Sequence, residues 1–146
     1  MIGSIVVGTD GSDTAAVAVR EAGDLAEKVG ASVHIVSAYE PVRARVEGAA
    51  DDPERGTWVV GPDVEVNTVL ERAAGDLRTR GVQCETHARK AGDPADAILG
   101  VAEEHDADLI IVGSKGMQGA KRFLLGSVPN KISHHAPCSV LIVRTT

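Results

Sequence analysis

Four short apolar runs along the chain predict buried β-strands. They cover residues 5–7, 33–36, 109–112 and 140–143, and each is rich in β-branched residues or leucine and too short for an independent helix. Strands that are apolar on both faces are typical of a parallel sheet covered by helices. Residues 82–89 alternate instead between apolar and polar positions, which predicts an edge strand.

Between the strands, apolar residues recur at intervals of three and four, which predicts one buried stripe on each of three helices. A further short helix is expected just before the last strand. Gly30 and Gly81 stand where the first two helices are expected to end. The stripes consist of Val19, Ala22, Ala26 and Val29, then of Val66, Val69, Leu70, Ala73 and Leu77, and finally of Ile98, Val101 and Ala102.

Helix-start signals precede two of these stripes. Ser12 or Asp13 can cap the first helix, and Asp93 followed by Pro94 can begin the third. Because strands and helices alternate, we predict a single α/β domain over residues 1–146. Its expected form is a doubly wound parallel sheet with helices on both faces.

Residues 40–62 interrupt this alternation with three prolines, three glycines and eight charged residues. A long irregular segment of this kind is typical either of a solvated surface loop or of a functional lid. Both interpretations remain open at the level of sequence.

Composition excludes several classes of partner. Tyr39, Trp58 and Phe123 are the only aromatic residues apart from histidine, and the net charge is −6, so we expect no nucleic-acid partner and no membrane binding. The chain has no apolar run of 18 residues and no basic signal-peptide start, which predicts a soluble, cytoplasmic protein. Cys84 and Cys138 fit no metal or redox spacing, and we expect buried thiols.

Charge is distributed unevenly along the chain. Residues 109–146 carry five Lys or Arg and no Asp or Glu, so this part has a charge of +5 and residues 1–108 a charge of −11. Three of the bases, Lys115, Lys121 and Arg122, fall in one glycine-containing loop after the fourth strand. An anionic ligand is therefore expected at that loop.

The same loop contains two glycine clusters. Gly113 and Gly116 follow the strand, and Gly126 precedes Ser127, where the short helix is expected to begin. Glycine permits close approach and positive φ, so that several amides can face one phosphate beside a helix N-terminus. The alternative is that these glycines form only a turn and a cap. The spacing is not that of a P-loop or of a Gly-x-Gly dinucleotide motif, which disfavours the usual Mg²⁺-driven NTPase chemistry.

Asp10 lies at the end of the first strand, in a glycine-flanked turn. A carboxylate there can accept hydrogen bonds from an amino group or a ribose hydroxyl, which suits the nucleoside end of a ligand. It can equally cap the first helix, and the residues alone do not separate the two roles.

These segments resemble the universal stress protein family over essentially the whole chain. The resemblance lies in residues 5–12, 92–94, 107–113 and 137–143, and above all in the pattern Gly-x2-Gly-x9-Gly-Ser formed by Gly113, Gly116, Gly126 and Ser127. It implies the ATP-binding branch of the family and a five-stranded sheet in the order 3-2-1-4-5. It also implies a homodimer that pairs its last strands. Residues 140–143 support this, since they are apolar on both faces at an expected edge.

The resemblance also implies a set of ligand contacts. ATP is the favoured ligand, because the three basic loop residues suit more than one phosphate, and Mg²⁺ is a candidate companion ion. AMP and cyclic AMP are the alternatives. Asp10 and the backbones of Thr9 and Ala38 are expected at adenine, Val112 and Gly113 near the adenosine, and Lys115, Gly116, Gly126, Ser127 and Val128 at the phosphates.

The sequence nominates no catalytic residue and no metal ligand. His134 and His135 diverge by about 100° on a helix, which suits surface or dimer contacts better than a shared metal. His34, His87 and His105 are scattered and receive no function. The favoured interpretation is a nucleotide-binding stress or signalling module in which ATP sets conformation or partner choice, with slow hydrolysis at most. The alternatives are a cyclic AMP binding protein, an ATP-dependent nucleotidyl-transfer enzyme and a structural dimerisation module without ligand.

Overall fold

Strands and helices alternate from the first strand to the last. The computed structural model describes residues 1–39, 61–114 and 126–145, with the backbone alone for residues 61–64. The order predicted from the sequence is confirmed within these ranges. The elements are β1 (Ser4–Gly8), α1 (Asp13–Val29), β2 (Ser32–Tyr39), α2 (Gly61–Thr79), β3 (Cys84–Lys90), α3 (Pro94–Glu104), β4 (Leu109–Gly113), α4 (Ser127–His135) and β5 (Ser139–Val143).

The five strands form one parallel sheet in the order β3-β2-β1-β4-β5, as expected. The central strand β1 pairs on both sides, so that Val6 lies opposite His34 of β2 and Ile110 of β4. The edge positions are occupied by β3 and β5. This order places β1 in the middle, where both of its faces are covered.

Side chains of β1 alternate between two cores. Ile5 and Val7 pack under α1 and α2, while Val6 packs under α3 and α4. All three are fully buried. Each such aliphatic side chain contributes about 2 kcal/mol of transfer free energy. The helices are therefore held on both faces of the sheet, as the doubly wound prediction requires.

The predicted helix stripes are largely confirmed. Ile98, Val101 and Ala102 of α3 are all buried. The assignment of Val29 to the buried stripe of α1 is wrong, since its side chain is 43% exposed. Val29 is the last residue of α1, and Gly30 ends the helix with φ 72°, so the stripe has already left the core.

Both predicted N-terminal caps are present, and each uses a side-chain oxygen. Ser12 Oγ accepts a hydrogen bond from Ala15 N at 3.1 Å and caps α1. Asp93 Oδ1 accepts one from Ala95 N at 2.9 Å and caps α3. Of the two candidates for the first cap, the structure selects Ser12.

Most of the irregular segment lies outside the described residues, so the lid interpretation stays a prediction. Its last two residues, Gly61 and Pro62, belong to the first turn of α2. Among the helices that the structure describes, none is long and apolar enough to span a bilayer. Cys84 and Cys138 are half-buried free thiols, and burial raises the pKa of both.

Candidate functional site

A cleft opens at the carboxyl ends of β1, β2 and β4. In doubly wound sheets this is the switch point, where the chain passes from one side of the first strand to the other, and ligands bind there. The cleft has a volume of about 140 Å³. Its walls come from strand ends, the turn after β1 and the starts of α3 and α4. The described residues that line it are Gly8, Thr9, Asp10, Ala15, Val36, Ala38, Pro94, Ile98, Val112, Gly113, Val128 and Pro129.

The floor of the carboxyl-end cleft depends on the missing side chain of Gly8. A Cβ atom added at Gly8 would lie 2.5 Å from Cδ1 and 3.1 Å from Cγ1 of Ile98. Ile98 is itself buried and lines the cleft. Any larger residue at this position would push Ile98 aside or fill the cleft.

The turn after β1 is ordered by its own side chains. Thr9 N donates to Val36 O at 2.9 Å and so continues the ladder towards β2. Thr9 Oγ1 accepts from Gly11 N at 3.1 Å, and Asp10 Oδ1 accepts from Ser12 N at 2.9 Å. Asp10 therefore stabilises the turn, while the cap of α1 comes from Ser12.

The turn requires glycine at position 11 for two reasons. The φ of Gly11 is 84°, a left-handed conformation that residues with a Cβ atom rarely adopt. A Cβ atom here would also lie 2.9 Å from Cγ2 of Val69 on α2. The turn can thus pass close to α2 and leave Asp10, an exposed residue, at the cleft.

The start of α4 closes the far side of the cleft. Gly126 N donates to Ser114 O at 3.0 Å, so the residues flanking the segment 115–125 are directly joined. Gly126 has φ −64° and ψ 167°, an ordinary extended backbone, and the expectation of positive φ does not hold there. The helix that follows has no side-chain cap at its N-terminus. Its first amides and the positive end of its dipole are therefore suited to an anion.

Ionic contacts join α4 to α3 beside the cleft. Lys131 Nζ lies 2.8 Å from Asp93 Oδ2 and 2.9 Å from Asp96 Oδ1. The hydrogen bond from Lys131, helped by the amide of Ala95, holds the pKa of Asp93 below its ordinary value. Lys131, one of the five basic residues of the segment 109–146, is thus paired with carboxylates of the fold.

The structure brings most of the predicted contact residues to one place. Gly126 and Ser127 form the start of α4, next to the cleft lining at Val128. Lys115 and Gly116 lie outside the described residues, as do Lys121 and Arg122. The predicted residues that line the cleft are Thr9, Asp10, Ala38, Val112, Gly113 and Val128.

Other lining residues were not predicted. Gly8 and Pro94 belong to the turns that carried the family resemblance, so their position was available as a signal. Val36 and Ile98 appear in sequence as ordinary core residues, and only the fold shows that they border a cleft. Ala15 and Pro129 have no distinguishing pattern.

A larger cavity of about 280 Å³ lies between α1 and α2. Its wall combines apolar side chains such as Val19 and Leu77 with three arginines. One of these, Arg80, donates to Glu27 Oε1 at 2.8 Å and to Asp24, so its charge is already paired. Of these two cavities, only the smaller cleft combines the ends of three strands, the close approach at Gly8 and the uncapped start of α4. We therefore take the smaller cleft as the candidate site.

The fold and this cleft define the class: a doubly wound α/β protein with a candidate site at the switch point of the sheet. The chain belongs to the universal stress protein family, whose family model matches residues 1–144. Universal stress protein Rv1636 of Mycobacterium tuberculosis is 36% identical over 143 residues, which cover 98% of this chain and 97% of that protein.

Two solved structures are similar to this chain over nearly its full length. A universal stress protein in complex with cAMP has a TM-score of 0.71 and 32% identity, covering 99% of this chain and 98% of that one. The universal stress protein of Archaeoglobus fulgidus in complex with dAMP has a TM-score of 0.69 and 29% identity, covering 98% and 99%.

Proposed function

We propose that this protein is an adenine-nucleotide binding module of the universal stress protein family and that ATP is its ligand. The carboxyl-end cleft would hold the adenosine. The start of α4, together with the glycine pattern of residues 113–127, would hold the phosphates. The observation that carries the proposal is the convergence of Gly8, the turn residues Thr9 and Asp10 and the uncapped start of α4 on one cleft.

The adenosine end fits the cleft on physical grounds. Val36, Ile98 and Val112 provide apolar walls for a base, and Asp10 provides a carboxylate acceptor for an amino group or a ribose hydroxyl. The missing side chain at Gly8 keeps this space open. A cradle that a single Cβ atom would obstruct is an arrangement suited to a bound ring system.

The phosphate end is supported by charge and backbone. The uncapped amides of α4 favour negative charge, and residues 109–146 carry a charge of +5. Lys115, Lys121 and Arg122 fall in the segment whose ends meet at Ser114 and Gly126. Three bases within this one segment of the sequence favour a triphosphate over a single phosphate. Mg²⁺ would accompany ATP as its usual counterion.

The test is calorimetric titration of the purified protein with ATP, AMP and cyclic AMP, with and without Mg²⁺. Gly126→Val should weaken ATP binding by about 100-fold or more, since its side chain would occupy the place of the phosphates. Valine is compatible with φ −64° and ψ 167°, so the fold should survive. Gly75→Val is the matched control, because a Cβ atom on Gly75 of α2 meets open space.

Two results would overturn the assignment. One is a folded Gly126→Val variant that binds ATP with wild-type affinity. The other is an equal loss of ATP affinity in Gly75→Val. Asp10→Ala distinguishes the adenosine contacts from the phosphate contacts, because it should reduce the affinity for ATP more than the affinity for inorganic triphosphate.

Cyclic AMP is the second candidate ligand. The similar universal stress protein at 32% identity was solved in complex with cAMP, and a base with one phosphate would use the same cleft. The same titration separates the candidates. Cyclic AMP binding more than about tenfold tighter than ATP, or about 1.4 kcal/mol, would reverse the ranking.

Bound nucleotide would act as a signal in this proposal, setting conformation or partner choice under stress. The described residues that line the cleft include no serine, cysteine, lysine or histidine, so we expect hydrolysis to be slow at most. The release of inorganic phosphate from bound ATP should stay close to the uncatalysed rate. Rapid pyrophosphate release with a candidate acceptor would instead favour the nucleotidyl-transfer alternative.

We further propose that the protein forms a homodimer through β5. This strand lies at an edge of the sheet, and Leu141 is 40% exposed there. Unpartnered edges are normally blunted by charge or proline, and β5 has neither within Ser139–Val143. Leu141→Lys should shift light-scattering mass towards the monomer. The control is Val29→Lys, which replaces a side chain that is 43% exposed on α1 and should leave the mass unchanged. A monomeric wild-type protein would refute the dimer.

A further inference from the structure

Three histidines that are far apart in sequence meet on one face of the sheet. His34 lies on β2, His87 on β3, and His105 directly follows α3. In the β2–β3 register His34 lies opposite Glu85, and His87 is two residues further along the same face. We call His34, Glu85, His87 and His105 the histidine cluster.

The ligand atoms of this cluster are close enough to share one ion. His34 Nδ1 is 3.0 Å from His87 Nε2 and 3.6 Å from Glu85 Oε2, and His87 Nε2 is 3.9 Å from the same Glu85 oxygen. One ligand atom from each of the four residues lies within 4.8 Å of all the others. Two ligands of a tetrahedral zinc ion are about 3.4 Å apart, which falls in the middle of these distances.

The three rings also lie close together, with His34 and His105 stacked and His87 tilted against both. The ring centroids of His34 and His105 are 4.3 Å apart, and that of His87 is 4.9 Å from His105 and 5.1 Å from His34. The His34 and His87 nitrogens at 3.0 Å can form one hydrogen bond only if one ring donates and the other accepts. A cation would accept lone pairs from both nitrogens and from the third ring.

The surroundings suit neutral imidazole ligands beside one carboxylate. His34 is only 7% exposed, His87 and His105 are half-buried, and Glu85 is exposed and offers an entry side. The nearby Arg89 is paired with Glu104 at 2.7 Å, so its charge is compensated.

We propose that the histidine cluster binds a divalent transition-metal ion of the zinc type, with three imidazoles and one carboxylate as ligands. Four protein ligands close a tetrahedral shell, so the ion would be structural. It would fasten the edge strand β3 and the end of α3 to β2. The site lies towards the amino end of the sheet. Its His105 is about 16 Å along α3 from Pro94 of the carboxyl-end cleft, while His87 pairs in register with Val36, which lines that cleft.

The test uses full-length protein that has been treated with EDTA and desalted, titrated with zinc chloride by calorimetry. We expect one Zn²⁺ per chain with a dissociation constant below about 1 µM, and a higher Tm after zinc is added. Cobalt chloride should give the intense visible absorption of tetrahedral Co²⁺. Failure to bind zinc in this range would overturn the proposal.

Variants assign the ligands. His105→Gln should weaken zinc binding by about 100-fold or more, and Glu85→Gln by about tenfold or more. Glu85 is exposed, so Glu85→Gln decides the matter if His105→Gln does not fold. The control is the double variant His134→Gln and His135→Gln, whose imidazoles are exposed on α4.

The control should bind zinc like the wild type. Zinc affinity that falls in the control and not in the cluster variants would place the ion on the surface histidines. An affinity unchanged within about threefold in both His105→Gln and Glu85→Gln would likewise refute the site. Circular dichroism of the metal-free variants confirms that each comparison is made between folded proteins.

Discussion

The two ends of the sheet carry two differently built sites. At the carboxyl end, the cleft is formed by strand ends, glycines such as Gly8 and the first turn of α4. Towards the amino end, the histidine cluster is formed entirely by side chains from β2, β3 and the residue after α3. The first site uses backbone at strand ends and at a helix start, and the second uses side chains that the β2–β3 register and the end of α3 bring together.

This difference determines what each site tolerates. A site built largely from backbone is more sensitive to added bulk than to the removal of side chains, because most of its donors belong to the main chain. A side-chain cluster that is packed against a core responds in the opposite way. Substitutions at the two ends of the sheet should therefore separate binding from stability.

The largest effect is expected for Gly8→Val. Its Cβ atom would lie 2.5 Å from Ile98 Cδ1 in the cleft, so we expect ATP affinity to fall by about 100-fold or more. Zinc affinity should remain unchanged, since the histidine cluster lies at the other end of α3. Calorimetry with each ligand checks both statements. Wild-type ATP affinity in the folded variant would remove Gly8 from the site.

The next largest effect is expected for His34→Ala in metal-free protein. His34 is 7% exposed and lies 3.0 Å from His87, so its removal leaves a cavity and an unpaired imidazole nitrogen. We expect a loss of about 2 kcal/mol in the free energy of unfolding, measured in urea with EDTA. The exposed residue His134 is the control, and His134→Ala should stay within about 0.5 kcal/mol. Equal effects would mean that the cluster contributes nothing to packing.

An intermediate effect is expected for Asp93→Ala, next to the cleft. The substitution removes the cap of α3, whose Oδ1 accepts from Ala95 N at 2.9 Å, and should cost about 1 kcal/mol. Asp93→Asn is the matched control, because asparagine still caps the helix. A loss as large in Asp93→Asn would show that the ion pair with Lys131 matters more than the cap.

The same control carries a pH prediction. The pKa of Asp93 is lowered by Lys131 and by the Ala95 amide, so its ionised form favours the folded state. That contribution is fully present above the ordinary Asp pKa of about 3.9 and is lost as the pH falls through the lower folded value. The stability difference between wild type and Asp93→Asn should therefore shrink on acidification below about pH 4. A constant difference across this range would contradict the assignment.

Sequence patterns predicted the parallel sheet, the helix caps and the part of the cleft that follows glycine-marked strand ends, while the family resemblance implied the strand order. Asp10 and Gly113 could be chosen because turns and glycines leave a local pattern, and Thr9 came from the resemblance. Val36 and Ile98 could not, since a core residue and a residue lining a cleft are equally apolar.

The histidine cluster was missed for a different reason. His34 lies within an apolar run that predicts a buried strand, and His87 lies on the polar side of an alternating strand. Their proximity depends on the β2–β3 register, in which His34 pairs with Glu85, and on the length of α3, which brings His105 alongside. Neither quantity follows from spacing along the chain.

The smallest effect is expected for Glu85→Gln in the absence of metal. The Glu85 side chain is 67% exposed, so the change in the free energy of unfolding should be less than about 0.5 kcal/mol in EDTA. With zinc present, the same variant should lose part of the zinc-induced rise in Tm, because an anionic ligand has been removed. Parallel thermal unfolding with EDTA and with zinc chloride measures both. A variant that loses the same amount of stability in EDTA and in zinc chloride would show that Glu85 stabilises the fold without binding metal. The histidine cluster would then be a packed group of side chains and not a zinc site.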